Sequence, residues 1–351
     1  MMQRRTIIPA VACFILMMWL SCSRDHLYYD TQARQNVQLN IDWSKTAFMP
    51  ESKGYNEDNR LNGVTIFAYD SVTHRLAAEF PPNANWQNPE IYLPVGTYNL
   101  VAVNDSRAEL PSISFNTGVR FEDFRAAVDA DTVYTNNYPE YLAASTLRNV
   151  RVADYRDYFY DRPEDHFVYK EAMQVYTVQR PVTKRINITV TVNGMNYCRG
   201  MQTSYLTGLS KGVNLSTMQP SKETVVYAFN LVNRAFRENS QSQAVISQSF
   251  NSFSFNEANL KEGNRFELVL NFVLINDELH TVTFDVTGQF EKWLEEHSID
   301  LDLGLDLDLD INLELDVTLP PTIPGGPNDG QSGGIRNETV PWNDITQDIT
   351  I

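Results

Sequence analysis

From residue 37 to residue 286 the chain returns repeatedly to one arrangement, apolar and polar side chains in alternation. Val37-Gln38-Leu39-Asn40-Ile41-Asp42-Trp43 follows it, and residues 185–192 (RINITVTV) follow it strictly before stopping at the turn dipeptide Asn193-Gly194. Successive side chains of a strand point to opposite faces, so a period of two predicts half-buried β-strands. Further strands are expected at 64–69 with a hairpin partner near 74–80, at 92–103, at 225–231, in pieces over 244–255, and at 265–274. The last of these reads as a hairpin with 279–286 across Ile275-Asn276-Asp277-Glu278. Helical spacing is scarce. Phe121 to Val128 (FEDFRAAV) and Gln289 to His297 (QFEKWLEEH) predict short helices, and residues 130 to 170 predict loops and short strands. Many short strands with few helices imply an all-β chain of two tandem β-sandwiches, over 37–178 and 179–319.

The first twenty-one residues predict an address. Arg4 and Arg5 precede a fourteen-residue apolar run, Ile7 to Leu20. As a helix it would span about 21 Å, short of the roughly 30 Å hydrocarbon core, so it reads as an export signal. It ends Trp19-Leu20-Ser21-Cys22, which resembles a bacterial lipobox with Trp19 in place of the usual Leu. Cys22 is the residue that would be acylated and become the mature N-terminus. Several acyl chains, at about 0.8 kcal/mol per buried methylene, hold a protein on a membrane where one myristoyl chain does not. Residues 22–36 then form a tether.

Charge removes whole classes of function. The chain carries 28 basic and 44 acidic residues, a net charge of −16. Loss of Arg4 and Arg5 with the leader moves it to −18. Nucleic-acid recognition needs a basic face, which this balance disfavours. Of three cysteines, Cys13 leaves with the leader and Cys22 is acylated, so Cys198 has no disulfide partner in the mature chain. Stability then rests on sheet cores. The five histidines (26, 74, 166, 280, 297) are scattered, and neither a metal-binding pair nor a phosphate-binding or dinucleotide loop appears. No cofactor and no enzymatic activity are expected. Gly208-Leu209-Ser210-Lys211-Gly212 matches a nucleophile elbow in letters, but no helix pattern follows it, so a glycine-bounded loop is the expectation.

Two C-terminal features stand apart. Residues 299–319 (IDLDLGLDLDLDINLELDVTL) alternate aliphatic and acidic residues. Carboxylates on one face of a strand sit about 6.8 Å apart and do not converge on a calcium ion. As one strand the run would measure about 70 Å, so a bent or split strand is expected. Residues 320–336 are a Pro/Gly linker with an r.m.s. reach of about 23 Å. After it, 337–351 is a terminal strand candidate with Val340, Trp342, Ile345 and Ile349 apolar. It is able to close its own domain or to pair with another sheet edge.

The lipobox with Asp25-His26-Leu27-Tyr28-Tyr29, VQLNIDW (37–43), GVTIFAYD (63–70), YLPVGTYNLVAVND (92–105), RPVTKRINITVTVNGM (180–195) and GLSKGVNLS (208–216) form one recognisable set. Together they resemble the fimbrillin and fimbrial-anchor lipoprotein superfamily of the Bacteroidetes, within it a family of unassigned function. The resemblance implies two transthyretin-like β-sandwiches, attachment to the outer membrane at the cell surface, and fimbrial subunits as partners. It also implies a place as anchor, tip or stalk, with cleavage after an Arg near the first strand in subunits that polymerise; Arg34 is the candidate. The Leu/Asp run and the long linker depart from the pattern. An alternative is a surface lipoprotein that binds glycan through aromatics such as Trp86, Tyr92, Tyr155, Tyr158 and Tyr160. Asp70-Ser71-Val72 and Asp131-Thr132-Val133 resemble O-glycosylation triplets of that phylum. Mass spectrometry of the mature N-terminus checks the address: an acylated Cys22 is expected of an anchor, whereas a free amine at Gln35 would mark a trimmed pilin.

Overall fold

The computed structural model describes residues 34–50, 57, 59–128, 134–152, 172–231, 233–237, 240, 242–303, 310–322 and 340–341. Among these, α-helix is confined to Glu257–Lys261 and Thr287–Leu303, and apart from the 3-10 turns Phe121–Asp123 and Met195–Tyr197 the rest of the regular structure is strand. The chain is all-β, with five sheets among the described residues.

In the first lobe a three-stranded sheet faces a five-stranded one. Arg34–Asp42 is the central strand of the smaller sheet, parallel to Met173–Val178 on one side and antiparallel to Glu90–Pro94 on the other. The larger sheet runs Arg180–Pro181, Ala143–Val152, Gly96–Asn104, Val64–Asp70, Leu76–Asn83. Its inner strands are apolar almost throughout because both faces are covered, which converts alternation into a continuous run. Ile66, Ala68, Leu100 and Ala102 point into the core shared with the three-stranded sheet. Their neighbours Phe67, Tyr69, Val101 and Val103 point the other way, into a second core that continues through the second lobe.

A bridging sheet lies on that other face, and both halves of the chain build it. Ile113–Asn116 and Arg125–Val128 come from the first half, Gly212–Asn214 and Gln219–Pro220 from the second. The second lobe is a sandwich. In one sheet Lys184–Asn193 pairs with Gln243–Ser252, which also pairs with Asn233–Phe236, and on its other side runs parallel to Asp310–Thr318. The facing sheet is built on the thirteen-residue strand Cys198–Ser210, flanked by Glu267–Leu274 and Thr224–Phe229. Leu279–Asp285 closes the expected hairpin with Glu267–Leu274. Tyr134–Thr135, from the first half, adds to Thr224–Phe229 as a parallel neighbour. Nearby, Tyr138, Tyr227 and Phe250 stack with centroids 4.9 to 6.2 Å apart, each such pair contributing about 0.5–1.5 kcal/mol beyond burial.

Three expectations need correction. FEDFRAAV is not a helix: Phe121–Asp123 is a single 3-10 turn, and Arg125–Val128 is a strand of the bridging sheet. Residues 130 to 170 include a ten-residue strand, Ala143–Val152, whose alternation is broken by a bulge and by Asn149 at φ +56°. The Leu/Asp run divides: residues 299–303 finish the helix Thr287–Leu303, and Asp310–Thr318 is strand.

The two glycines of the false elbow are packing residues, Gly208 within the second lobe and Gly212 where the two halves meet. Gly208 adopts φ +88° at a register shift in its strand, and a Cβ there would stand 2.5 Å from the Phe266 ring. At Gly212 a Cβ would meet the Ala126 carbonyl oxygen at 2.4 Å. Gly212 therefore permits the close strand contact that joins the two halves. Gly212→Ala is expected to cost roughly 1–3 kcal/mol in chemical denaturation by forcing that contact apart.

Candidate functional site

A sheet works on partners through its edges, where backbone N–H and C=O groups lack a neighbour. Several edges among the described residues are blunted. Leu76–Asn83 carries Pro81 and Pro82, Glu90–Pro94 ends in proline, and Pro181 and Pro220 occupy the short outer strands Arg180–Pro181 and Gln219–Pro220. Proline removes a ladder donor and discourages further pairing.

Asp310–Thr318 is protected differently. The helix Thr287–Leu303 lies along its outer side, and the Gln289 side chain acts as a surrogate strand residue. Its Oε1 accepts from the Glu314 N–H at 3.1 Å, and its Nε2 donates to the Glu314 carbonyl at 3.5 Å. Trp293 Nε1 donates to the Asp310 carbonyl at 3.1 Å.

Among the described residues, five edges carry neither proline nor a pairing strand on their outer side: the short strands Ile113–Asn116, Tyr134–Thr135 and Asn233–Phe236, and the longer Met173–Val178 and Leu279–Asp285. The two longer edges show side chains that are exposed and half-buried in turn. A further opening lies within the second lobe. Thr224–Phe229 pairs with the long strand only from Ser204 onward, so the edge of residues 198–203 extends beyond it. Into that gap comes Val340–Pro341, antiparallel, with Val340 opposite Met201 and Pro341 opposite Gly200.

Of the residues singled out above, Arg34 opens the strand Arg34–Asp42 and is paired with Pro94. Val340 sits on the long strand as described, while Trp342, Ile345 and Ile349 lie outside the described residues, as do Cys22 and the triplet 131–133. Asp70-Ser71-Val72 forms a hairpin turn in which Asp70 Oδ1 accepts from the backbone N–H of Val72 and Thr73. Those bonds, Thr73's first, hold the Asp70 carboxyl below its usual range. Ser210 is buried, its Oγ donating to the Ser221 carbonyl at 2.8 Å, and strand rather than helix follows it. Trp86 is half-buried edge-to-face on Trp43 and offers no open platform, whereas Tyr92 is exposed. Tyr155, Tyr158 and Tyr160 fall outside the described residues. A tyrosine not singled out, Tyr176, stands 73% exposed beside a cleft of about 430 Å³ lined by Asn40, Asp42, Asn88 and Met49. Its parity follows from burial: Met173, Val175 and Thr177 are half-buried, so Gln174, Tyr176 and Val178 face out.

Shifted ionisable groups belong to the scaffold. Burial raises Asp105 despite hydrogen bonds from the Asn62 N–H and Asn104 Nδ2, each 2.7 Å. Burial also pushes Tyr138 up to about 12, and raises Tyr69 and Tyr141. No cluster of three or more metal-ligating side chains occurs among the described residues.

A family model described as "Domain of unknown function (DUF5119)" matches residues 21–230. No curated protein matches. Among solved structures, a candidate adhesin from Bacteroides ovatus superposes with a TM-score of 0.52 at 14% identity, over 83% of this chain and 96% of that one. A candidate adhesin from Bacteroides thetaiotaomicron gives 0.49 at 12% identity, over 82% and 93%. The fimbrial anchor protein Mfa2 from Porphyromonas gingivalis gives 0.45 at 12% identity, over 81% and 91%. The first establishes a shared fold, and the other two are likenesses on which nothing further is built.

The surrogate pairing by Gln289 has a direct readout. Gln289→Ala is expected to speed amide hydrogen exchange at Glu314 about tenfold, as its N–H turns to water, while Leu313 exchanges as before.

Proposed function

The chain belongs to the DUF5119 family, and on that footing we propose that it is a lipid-anchored fimbrial component at the cell surface, an anchor or accessory subunit that works by β-strand pairing. The observation that carries the reading is the seating of Val340–Pro341 in the edge gap at Gly200–Met201. A short segment at the far end of a Pro/Gly linker is already in ladder register with a sheet. The same pairing is available to the corresponding segment of a neighbouring subunit, since a strand supplies the same backbone groups whichever chain it comes from. The sandwich fold shared with a candidate adhesin and the lipobox at Cys22 support a surface location on the outer membrane.

Arg34 bears on which kind of subunit this is. Only the first residue of a nine-residue strand would be lost by scission after it. Val37 to Asp42 stay paired with Met173–Val178, so such a cut frees the tether and leaves the sheet closed. An anchor keeps its lipid, and the geometry gives scission at Arg34 no edge to open.

A cysteine pair separates self-closure from exchange. Residues opposite each other in an antiparallel pair lie within disulfide range. In a Cys198→Ser background, Met201→Cys with Val340→Cys is expected to yield mixed-subunit ladders on oxidised cells, with fimbrial subunits recovered in them. If the disulfide forms only within one chain and deletion of 337–351 leaves subunit recovery unchanged, strand exchange is wrong.

A further inference from the structure

The outer face of the three-stranded sheet differs from every edge described above. Val37, Leu39 and Ile41 are buried, so Gln38, Asn40 and Asp42 face away from the core. In the parallel neighbour, Gln174 stands opposite Gln38 and Tyr176 opposite Asn40. Amides join across the strands: Asn40 Nδ2 donates to Gln174 Oε1 at 2.7 Å, and Gln174 Nε2 donates to Gln38 Oε1 at 2.8 Å. The bonds fix three side chains and leave Asn40 Oδ1 as an acceptor and Gln38 Nε2 as a donor.

The 430 Å³ cleft opens at one end of this amide row. Its base is rigid. Trp43, 2% exposed, donates its indole N–H to the Trp86 carbonyl at 3.0 Å and packs edge-to-face against Phe48 and Trp86. On the rim, Asp42 Oδ1 accepts from the Ser44 N–H at 2.8 Å, which orients the carboxylate. Tyr176 supplies a large exposed ring, and Asn88 a further amide.

We propose that this cleft binds a neutral oligosaccharide, with Tyr176 stacking on a sugar ring and Asn40, Asp42 and Asn88 hydrogen-bonding its hydroxyls. The volume lies in the range of small-molecule sites, about 300–1,000 Å³. A polyol needs donors and acceptors close together, which amides and a carboxylate supply, and an aromatic ring matches the apolar face of a pyranose. Anionic ligands are disfavoured: among the described residues no lysine or arginine lines the cleft, Asp42 does, and the whole chain carries −16. A peptide strand would seek the backbone edge of Met173–Val178, not the face. The inference goes beyond the assembly reading and does not depend on it.

The test is affinity electrophoresis of the full mature chain in gels carrying mannan, xylan, laminarin or glycogen, all neutral. Retardation by at least one is expected. Tyr176→Ala should weaken it about tenfold or more, roughly the effect of 1.4 kcal/mol, while Tyr176→Phe keeps most of it. Asn40→Ala and Asp42→Ala should each weaken it. Tyr134→Ala is the control, since Tyr134 is 59% exposed on a different sheet, and it should change nothing. Trp43 and Trp86 fluorescence should shift when oligosaccharide from the retarding polymer is titrated in. Absence of retardation by all four polymers overturns the proposal, as does retardation indifferent to Tyr176→Ala. Loss of fimbrial-subunit capture in Tyr176→Ala without polysaccharide binding would overturn it too, assigning the face to protein contacts.

Discussion

The architecture depends on one constraint, that the strand Val64–Asp70 and its neighbour Gly96–Asn104 have no solvent face. Six of the seven residues of Val64–Asp70 are buried, and their side chains divide between two cores. A five-stranded sheet covered on one side only would leave Phe67, Tyr69, Val101 and Val103 in water. At about 25 cal/mol per Å² of apolar surface, four such side chains represent several kcal/mol. That burial requires the bridging sheet, and the bridging sheet requires strands from both halves of the chain. The first lobe therefore cannot complete its covering without Gly212–Asn214 and Gln219–Pro220 from the second.

The same dependence explains the tolerance for a bare three-stranded sheet. Its inner face closes one core, while the other core, which spans both lobes, carries the connection to the rest of the molecule. The three-stranded sheet's outer face and its Met173–Val178 edge contribute nothing to that connection. Residues there are free to be chosen for what they bind, whereas Ser210, Gly208 and Gly212 are held by packing. Chemistry-like letters in the seam and plain amides on the outer sheet thus have reversed significance once burial is known.

Local pattern carried much of this fold. Lys184–Asn193 and the hairpin Glu267–Leu274 with Leu279–Asp285 alternate because each turns one face, buried or half-buried, to the core, and such strands are readable from a short window. Phe121 to Val128 was not readable in that way. Phe121 and Phe124 stand at helical spacing, and what turns Arg125–Val128 into strand is pairing with residues 212–214, nearly ninety positions away. The acidic run shows the converse ambiguity: residues 299–303 alternate like a strand yet continue a helix nucleated upstream, where Phe290 and Trp293 are buried. Tyr92, outside the cleft, was legible as an exposed aromatic. Tyr176 needed the register that sets it beside Asn40, 136 positions earlier, and no window of sequence contains that.

The strand Arg34–Asp42, which follows the expected tether, lies at the centre of a sheet, and that placement suits the attachment proposed above. Arg34–Asp42 is hydrogen-bonded on both sides, antiparallel to Glu90–Pro94 and parallel to Met173–Val178. Tension applied at the N-terminal end runs along the strand axis, so the inter-strand bonds, which lie across it, are loaded together in shear. A strand at the edge, pulled from its end perpendicular to the sheet, would release one bond at a time. Unfolding under force is governed by the barrier to that first rupture rather than by net stability. A central, doubly paired entry strand raises this barrier without enlarging the core. It follows that the proposed glycan cleft and the proposed point of attachment share one sheet. Force transmitted from a bound polymer at Tyr176 to the tether would cross a single strand pair, leaving the bridging sheet and the second lobe unloaded.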